Sequence, residues 1–264
     1  MRFQFALGLM LLLYCFDTIG QVSRFNYPGG VAVLSIEKQS DDLPEIKYGT
    51  RDPVVMDLAG QWQVLIGISL QTLPGEYLLY IKPAVKDMPA QHKTFNVKQY
   101  SYPLHSETNR SITNSFREHE QLSEIAFENT QQPYLPLLYP ADGQWSDSFG
   151  HTVYDMDEQK SVAQNLVSLT TTKLLTVVAP QNAIVSKIET DANQASTIFL
   201  DHGRGLYSVV GGVTDLSIEV GNGVLAGAVI GKLPPQSSNE EPKKLTWQCI
   251  LNGVYVNPII LTQL

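Results

Sequence analysis

Histidine, cysteine and basic residues are all scarce in this sequence. Its 264 residues include 5 histidines, 2 cysteines and 18 Lys plus Arg against 26 Asp plus Glu, for a formal net charge of −8. The lack of clustered Lys and Arg excludes a nucleic-acid binder and a ligand of anionic membranes, since both need concentrated positive charge. Cys15 lies in an N-terminal segment expected to be removed, which leaves Cys249. One cysteine cannot close an internal disulfide, so a disulfide scaffold is excluded. Cys249 sits in the apolar stretch Leu245–Leu251 and reads as a small core residue rather than a nucleophile. The sequence has no internal repeat and no low-complexity tract. Hydrophobic residues make up 43% and charged ones 17%, enough for a packed core. The length suits one large domain or two smaller ones.

The N-terminus has the pattern of a secretory signal peptide. Arg2 gives the positive start, Phe3 to Phe16 is an almost unbroken apolar run, and Asp17 ends it. The run falls short of the ~20 residues that cross a bilayer. Thr18-Ile19-Gly20 offers small residues before a cleavage at Gln21. The predicted signal peptide is 1–20, with no membrane span in the mature chain. A buried N-terminal helix and lipidation at Cys15 are the competing readings. Tyr14 stands where lipidation needs a small residue.

Residues 28–100 read as β-structure. Val31, Val33 and Ile36 form an apolar run after Pro28-Gly29-Gly30. Trp62, Val64, Ile66 and Ile68 alternate at period two, as a half-buried strand does. Leu73-Pro74-Gly75-Glu76 is a turn signal, Tyr77–Ile81 is the next strand, and Phe95, Val97 and Gln99 continue the alternation. Short strands with Gly and Pro punctuation predict a small β-sandwich. In residues 105–130 acidic and basic residues are spread among Ile112, Phe116, Leu122, Ile125 and Phe127, which predicts a short linker helix. From Tyr134 the pattern is β-rich again. Strands are expected at Leu174–Val178, Ala183–Glu189, Thr197–Leu200, Leu206–Val210, Leu216–Val220, Leu245–Leu251 and Val254–Val256, with a polar loop at Pro234–Pro242.

Within this second region several motifs stand in order. Tyr139-Pro140, Gly143, Ser146 and Ser148-Phe149-Gly150 form an entry turn. Ala179-Pro180 follows, then Ile198-Phe199-Leu200-Asp201-His202-Gly203-Arg204-Gly205-Leu206. Gly221, Val224, Gly227 and Ile230-Gly231 come next, and Leu245-Thr246-Trp247 and Asn252-Gly253-Val254-Tyr255-Val256-Asn257-Pro258 close the series. Together they resemble the LytM-type, lysostaphin-like M23 zinc endopeptidases, which cut peptidoglycan cross-links. The Trp62–Gly75 stretch resembles the Ig-like domain that precedes the catalytic domain in many Gram-negative members. The resemblance implies an all-β chain. An Ig-like β-sandwich at 21–103 would be joined by a linker with a short helix at 104–133 to an antiparallel M23/LytM-like domain at 134–264.

A catalytic zinc site needs about three N or O ligands and one open position, with a group nearby to move a proton. The family supplies these from a His-x-x-x-Asp segment, a His-x-His segment and a histidine in a Tyr-x-His-Leu segment. Carried over without gaps, those positions hold Gln164 and Ser168, Lys244 and Thr246, and Gly212. Gln and Ser are weak zinc ligands beside imidazole and carboxylate. A Lys ammonium ~4 Å from a dication costs roughly 8 kcal/mol at an effective dielectric of about 20. His92, His105 and His119 lie outside the M23-like region, and His151 follows the entry turn. His202 belongs to Asp-His-Gly, where the family histidine is not a ligand.

The reading is therefore a protein with no catalytic residues, no metal and no cofactor, zinc entering only in the alternative. Lys244, Trp247, His202 and Gln164 are the candidates to line the former groove. For Lys244 the competing reading is a surface lysine, and for His202 a turn residue bonded to backbone. The expected role is a non-catalytic M23-like protein of the periplasm or cell envelope, secreted across the inner membrane. It would bind peptidoglycan, or a cell-wall hydrolase or amidase, and regulate wall remodelling. The alternatives are an active M23 zinc endopeptidase and a structural module of envelope assembly.

Overall fold

A computed structural model describes residues 24–109, 129, 131–155, 160–235 and 243–264. The predicted signal peptide and most of the predicted linker helix lie outside the described residues.

The N-terminal part holds strands β1 (Val31–Glu37), β2 (Glu45–Lys47), β3 (Val54–Leu58), β4 (Gln61–Gly67), β5 (Gly75–Lys82) and β6 (Gln91–Val97). They form two antiparallel sheets, β1-β4-β3 and β2-β5-β6. Ala32, Leu34, Val55, Trp62, Val64 and Ile66 of the first pack against Ile46, Leu79, Ile81, Phe95 and Val97 of the second. The alternation in the sequence is thus the inward face of a sandwich. A two-residue turn with positive φ at Ala59 and Gly60 joins β3 to β4, matching the right-handed twist of the hairpin.

The other face of β1-β4-β3 is buried too. Val31, Val54, Met56 and Leu65 belong to the large core of the C-terminal part. One sheet therefore serves two cores.

β7 (Leu104–Asn109) pairs in parallel with β8 (Thr152–Asp155), which pairs with β9 (Lys160–Ala163). The predicted linker thus opens with a strand. Next come β10 (Val167–Thr171), β11 (Leu175–Val178), β12 (Ala183–Thr190), β13 (Ser196–Gly203), β14 (Leu206–Val213), β15 (Gly223–Val224), β16 (Val229–Leu233), β17 (Lys243–Leu251) and β18 (Val254–Val256). A short helix, α1 (Pro258–Leu261), follows with Asn257 as its N-cap. A seven-stranded antiparallel sheet runs β10-β17-β14-β13-β12-β15, with β18 also on β17, and β11 pairs separately with β16. The chain is all-β, as its sequence predicts, apart from α1 among the described residues.

The strand expected at Leu216–Val220 does not form. Asp215 takes φ +47, which breaks the extended path. Leu216 and Ile218 still pack on the core from an irregular segment.

The β17–β18 turn joins the two parts. Asn252, at φ +55, accepts the Gly67 N–H through Oδ1 at 3.1 Å and donates through Nδ2 to the Asp52 carbonyl at 2.8 Å. A side chain at Gly67 would come within 2.5 Å of the Leu251 carbonyl oxygen, so glycine is what admits this close approach.

Candidate functional site

β17 reads Lys243-Lys244-Leu245-Thr246-Trp247-Gln248-Cys249-Ile250-Leu251 and alternates across the sheet. Leu245, Trp247, Cys249 and Leu251 face the large core. Thr246 and Gln248 are on the opposite face with Lys244, because side chains two apart share a face.

On that face Ser168 of β10 stands opposite Thr246, Thr246 opposite Gly211 of β14, and Gly211 opposite Thr197 of β13. A Cβ at Gly211 would lie 2.6 Å from the Thr246 Oγ1 and 3.3 Å from the Thr197 Oγ1, so both hydroxyls lean over the bare glycine. The row continues into the entry turn. Ser146 Oγ accepts the Ser168 N–H at 2.9 Å and lies 3.3 Å from the Ser168 hydroxyl. It is also 2.8 Å from the Ser148 hydroxyl, which donates to the Leu166 carbonyl. One row along, the Gln248 amide donates to Asn165 Oδ1 at 2.8 Å. The surface is a band of neutral hydroxyls and amides, with the exposed Lys244 on the same strand.

Two predicted positions are held differently. Gln164 extends the β8–β9 pairing, its N–H on the His151 carbonyl and its carbonyl on the Gly150 N–H. Gly212 sits where the β13–β14 register shifts, at φ +88. A Cβ built there would overlap the Lys244 carbonyl oxygen. The backbone is thus closed to a side chain at 212.

The donor set at these positions is one carboxamide, two hydroxyls, an ammonium and a residue with no side chain. No imidazole or carboxylate is among them, so the residues present do not fit a zinc ion. No three His, Cys, Asp or Glu side chains converge among the described residues.

Trp247 and His202 do not line this groove. Trp247 is fully buried on the core face, because it alternates with Lys244 and Thr246. His202 is 1% exposed. Its Nδ1 is 3.0 Å from the Asn182 carbonyl, which only accepts, so Nδ1 carries the proton. Nε2 then accepts from the Ser208 hydroxyl at 2.8 Å. That leaves Ser208 Oγ to accept the Trp247 indole N–H at 3.4 Å and the Cys249 thiol at 3.7 Å. Burial pulls the His202 pKa down to about 4, against the opposing hydrogen bond to Asn182. Burial likewise pushes the Cys249 thiol up to about 12. Both groups are neutral members of a closed core network and are not nucleophile or base.

Asp201, next in sequence, points to the other face. Its carboxylate accepts the Gly203 N–H at 2.8 Å and the Tyr207 hydroxyl at 3.0 Å. Burial raises its pKa, and those hydrogen bonds act to lower it. Asp-His-Gly is therefore a brace for the β13–β14 turn.

Comparison with known proteins bears on the fold and the family. Peptidase family M23 matches residues 164–258, and the peptidase family M23 N-terminal domain matches residues 26–99. The chain belongs to the M23 peptidase family. The crystal structure of a candidate M23 peptidase from Pseudomonas aeruginosa shares the fold. It has a TM-score of 0.67 and 24% identity over 92% of this chain and 97% of that one. The catalytic domain of lysostaphin from Staphylococcus simulans is more distant, with a TM-score of 0.36 and 15% identity over 46% of this chain and 92% of that one. Csd3 of Helicobacter pylori has a TM-score of 0.42 and 13% identity over 79% of this chain and 47% of that one. No curated protein sequence gives a significant match. The matched segment 164–258 contains Ser168, Gly211 and Thr246 of the hydroxyl row and Lys244 beside it.

The role of the entry-turn serines was not evident from the sequence, because their partners are 20 or so residues away and no spacing announces them. The expectation that Trp247 lines the groove is corrected by alternation along β17, which puts it on the face opposite Lys244 and Thr246.

Proposed function

We propose that this chain is a non-catalytic M23-family protein of the cell envelope that binds peptidoglycan. Family membership makes it a cell-wall-related, peptidase-like protein. The finer reading rests on one observation: Ser168 and Thr246 stand side by side where the family has ligands, and Gly212 has a backbone that admits no side chain. Secretion by the segment 1–20 and an envelope location belong to the same reading. Regulation of a wall hydrolase or amidase would follow from occupying its substrate. Hydroxyls, carboxamides and one exposed ammonium suit a polar, uncharged or acidic wall polymer and supply no means of activating water.

Incubation of the purified mature chain with peptidoglycan sacculi tests this. The protein is expected to sediment with sacculi and release no soluble muropeptides, and Lys244→Glu is expected to weaken sedimentation. Muropeptide release that stops on chelation would overturn the non-catalytic reading. Co-elution with a wall hydrolase from periplasmic extract, without sacculus binding, would transfer the groove to a protein partner.

A further inference from the structure

Beside the hydroxyl row lies a solvent-open cleft of about 250 Å³ lined by Tyr139, Trp145, Ser146, Asp147 and Asn257, among others. Tyr139 is 40% exposed. Trp145 is fixed by its indole N–H, which donates to the Ala141 carbonyl at 3.1 Å. The buried Trp247 meets both rings edge-on, with centroids 5.8 Å from Trp145 and 5.9 Å from Tyr139. It thus holds the aromatic wall from beneath. Ser146 belongs to the cleft and to the hydroxyl row at once. Asn257 uses Oδ1 to cap α1, which leaves its amide N–H groups as donors. Asp147 is exposed and supplies acceptors. Another cleft, about 190 Å³ by Trp62, Ile81 and His92 in the N-terminal sandwich, is lined by charges of both signs and shares no residue with the groove.

We infer that the Tyr139–Trp145 cleft is a subsite for one neutral sugar ring of a glycan strand, of the N-acetylglucosamine type. This rests on the reading that the chain binds peptidoglycan. Flat aromatic faces pack against the C–H faces of a pyranose, while a carboxylate, an amide and a hydroxyl meet its hydroxyls and acetamido group. The cleft is smaller than the ~300–1,000 Å³ pockets that enclose whole small molecules, so it suits one ring of a longer chain. A peptide fits worse. Trp145 bridges to Leu169 and the Ser146 N–H bonds the Ser168 carbonyl, so the edge of β10 is already covered here and offers no strand addition. The lining has no basic group to meet a stem-peptide carboxylate, and Asp147 would repel one.

Titration of a peptide-free N-acetylglucosamine tetrasaccharide into the mature chain, followed by tryptophan fluorescence, tests the inference. Trp62 and Trp247 are buried and Trp145 is partly exposed, so a change that disappears in Trp145→Phe reports on this cleft. A saturable shift is expected, about tenfold weaker in Tyr139→Ala and in Asp147→Ala. Tyr139→Phe is expected to keep it, and Trp145→Phe to lose the signal. Asp147 is exposed, so its variant reads the site even if Tyr139→Ala folds poorly. Sacculus binding that persists in Asp147→Ala, with no response to the tetrasaccharide, would overturn the sugar subsite and leave peptidoglycan binding standing. Failure of the unsubstituted chain to bind sacculi would overturn both.

Discussion

The imidazole of His202 is kept neutral by burial, and its cost appears in the pH dependence of folding. Its pKa is about 4 in the folded chain and 6.5 as the reference value, so the unfolded state binds the extra proton between those limits. Stability contributed by neutral His202 is therefore full above pH 6.5 and lost as pH falls towards 4, by about 3 kcal/mol. Asp201 works in the opposite sense, since burial raises its pKa and the folded state holds its proton to higher pH than the unfolded one. Urea unfolding from pH 7 to 4 is expected to show a loss that shrinks in His202→Gln. A second residue-scale prediction concerns Gly212. Gly212→His is expected to destabilise the chain by ~2 kcal/mol or more, from the positive φ and the overlap with the Lys244 carbonyl. Thermal melting of the variant measures it, and an unchanged melt would contradict the closed bulge.

At the scale of elements, β17 and the turn after it organise the fold. β17 pairs with β10, β14 and β18, presents the core with one face and the hydroxyl row with the other, and leads into the Asn252 turn. Asn252→Ala removes both hydrogen bonds to the N-terminal sandwich and leaves the Gly67 N–H buried and unpaired. A loss of ~2–3 kcal/mol is expected in urea unfolding, with Asn252→Asp recovering part of it through Oδ1. Much of this was legible in the sequence. Period-two alternation located β4 and the end of β6; β5 and β17 were expected as strands, and the glycine-rich motifs marked the turns. Alternation within Leu245–Leu251 also places Trp247 opposite Thr246, although proximity in sequence drew it into the groove. What the sequence concealed depends on distant partners. The burial of His202 requires Ser208 and Asn182, and the irregular path at 216–220 follows from a positive φ at Asp215 that no residue pattern signals.

For the whole molecule, the shared sheet β1-β4-β3 ties both parts into one structure, with Val31, Val54, Met56 and Leu65 in the core of the C-terminal part. Calorimetric unfolding of residues 21–264 is expected as a single cooperative transition. Two separated transitions would show that the shared face contributes little. The groove lies on the C-terminal sheet, and its donors are hydroxyls, amides and an ammonium where a metallopeptidase requires imidazole and carboxylate. Zinc titration of purified, metal-free residues 21–264 by calorimetry at neutral pH tests that claim most directly. The account predicts no stoichiometric binding, and no difference between the unsubstituted chain and Thr246→Ala. One tightly bound zinc per chain, lost in Thr246→Ala or Ser168→Ala, would contradict it.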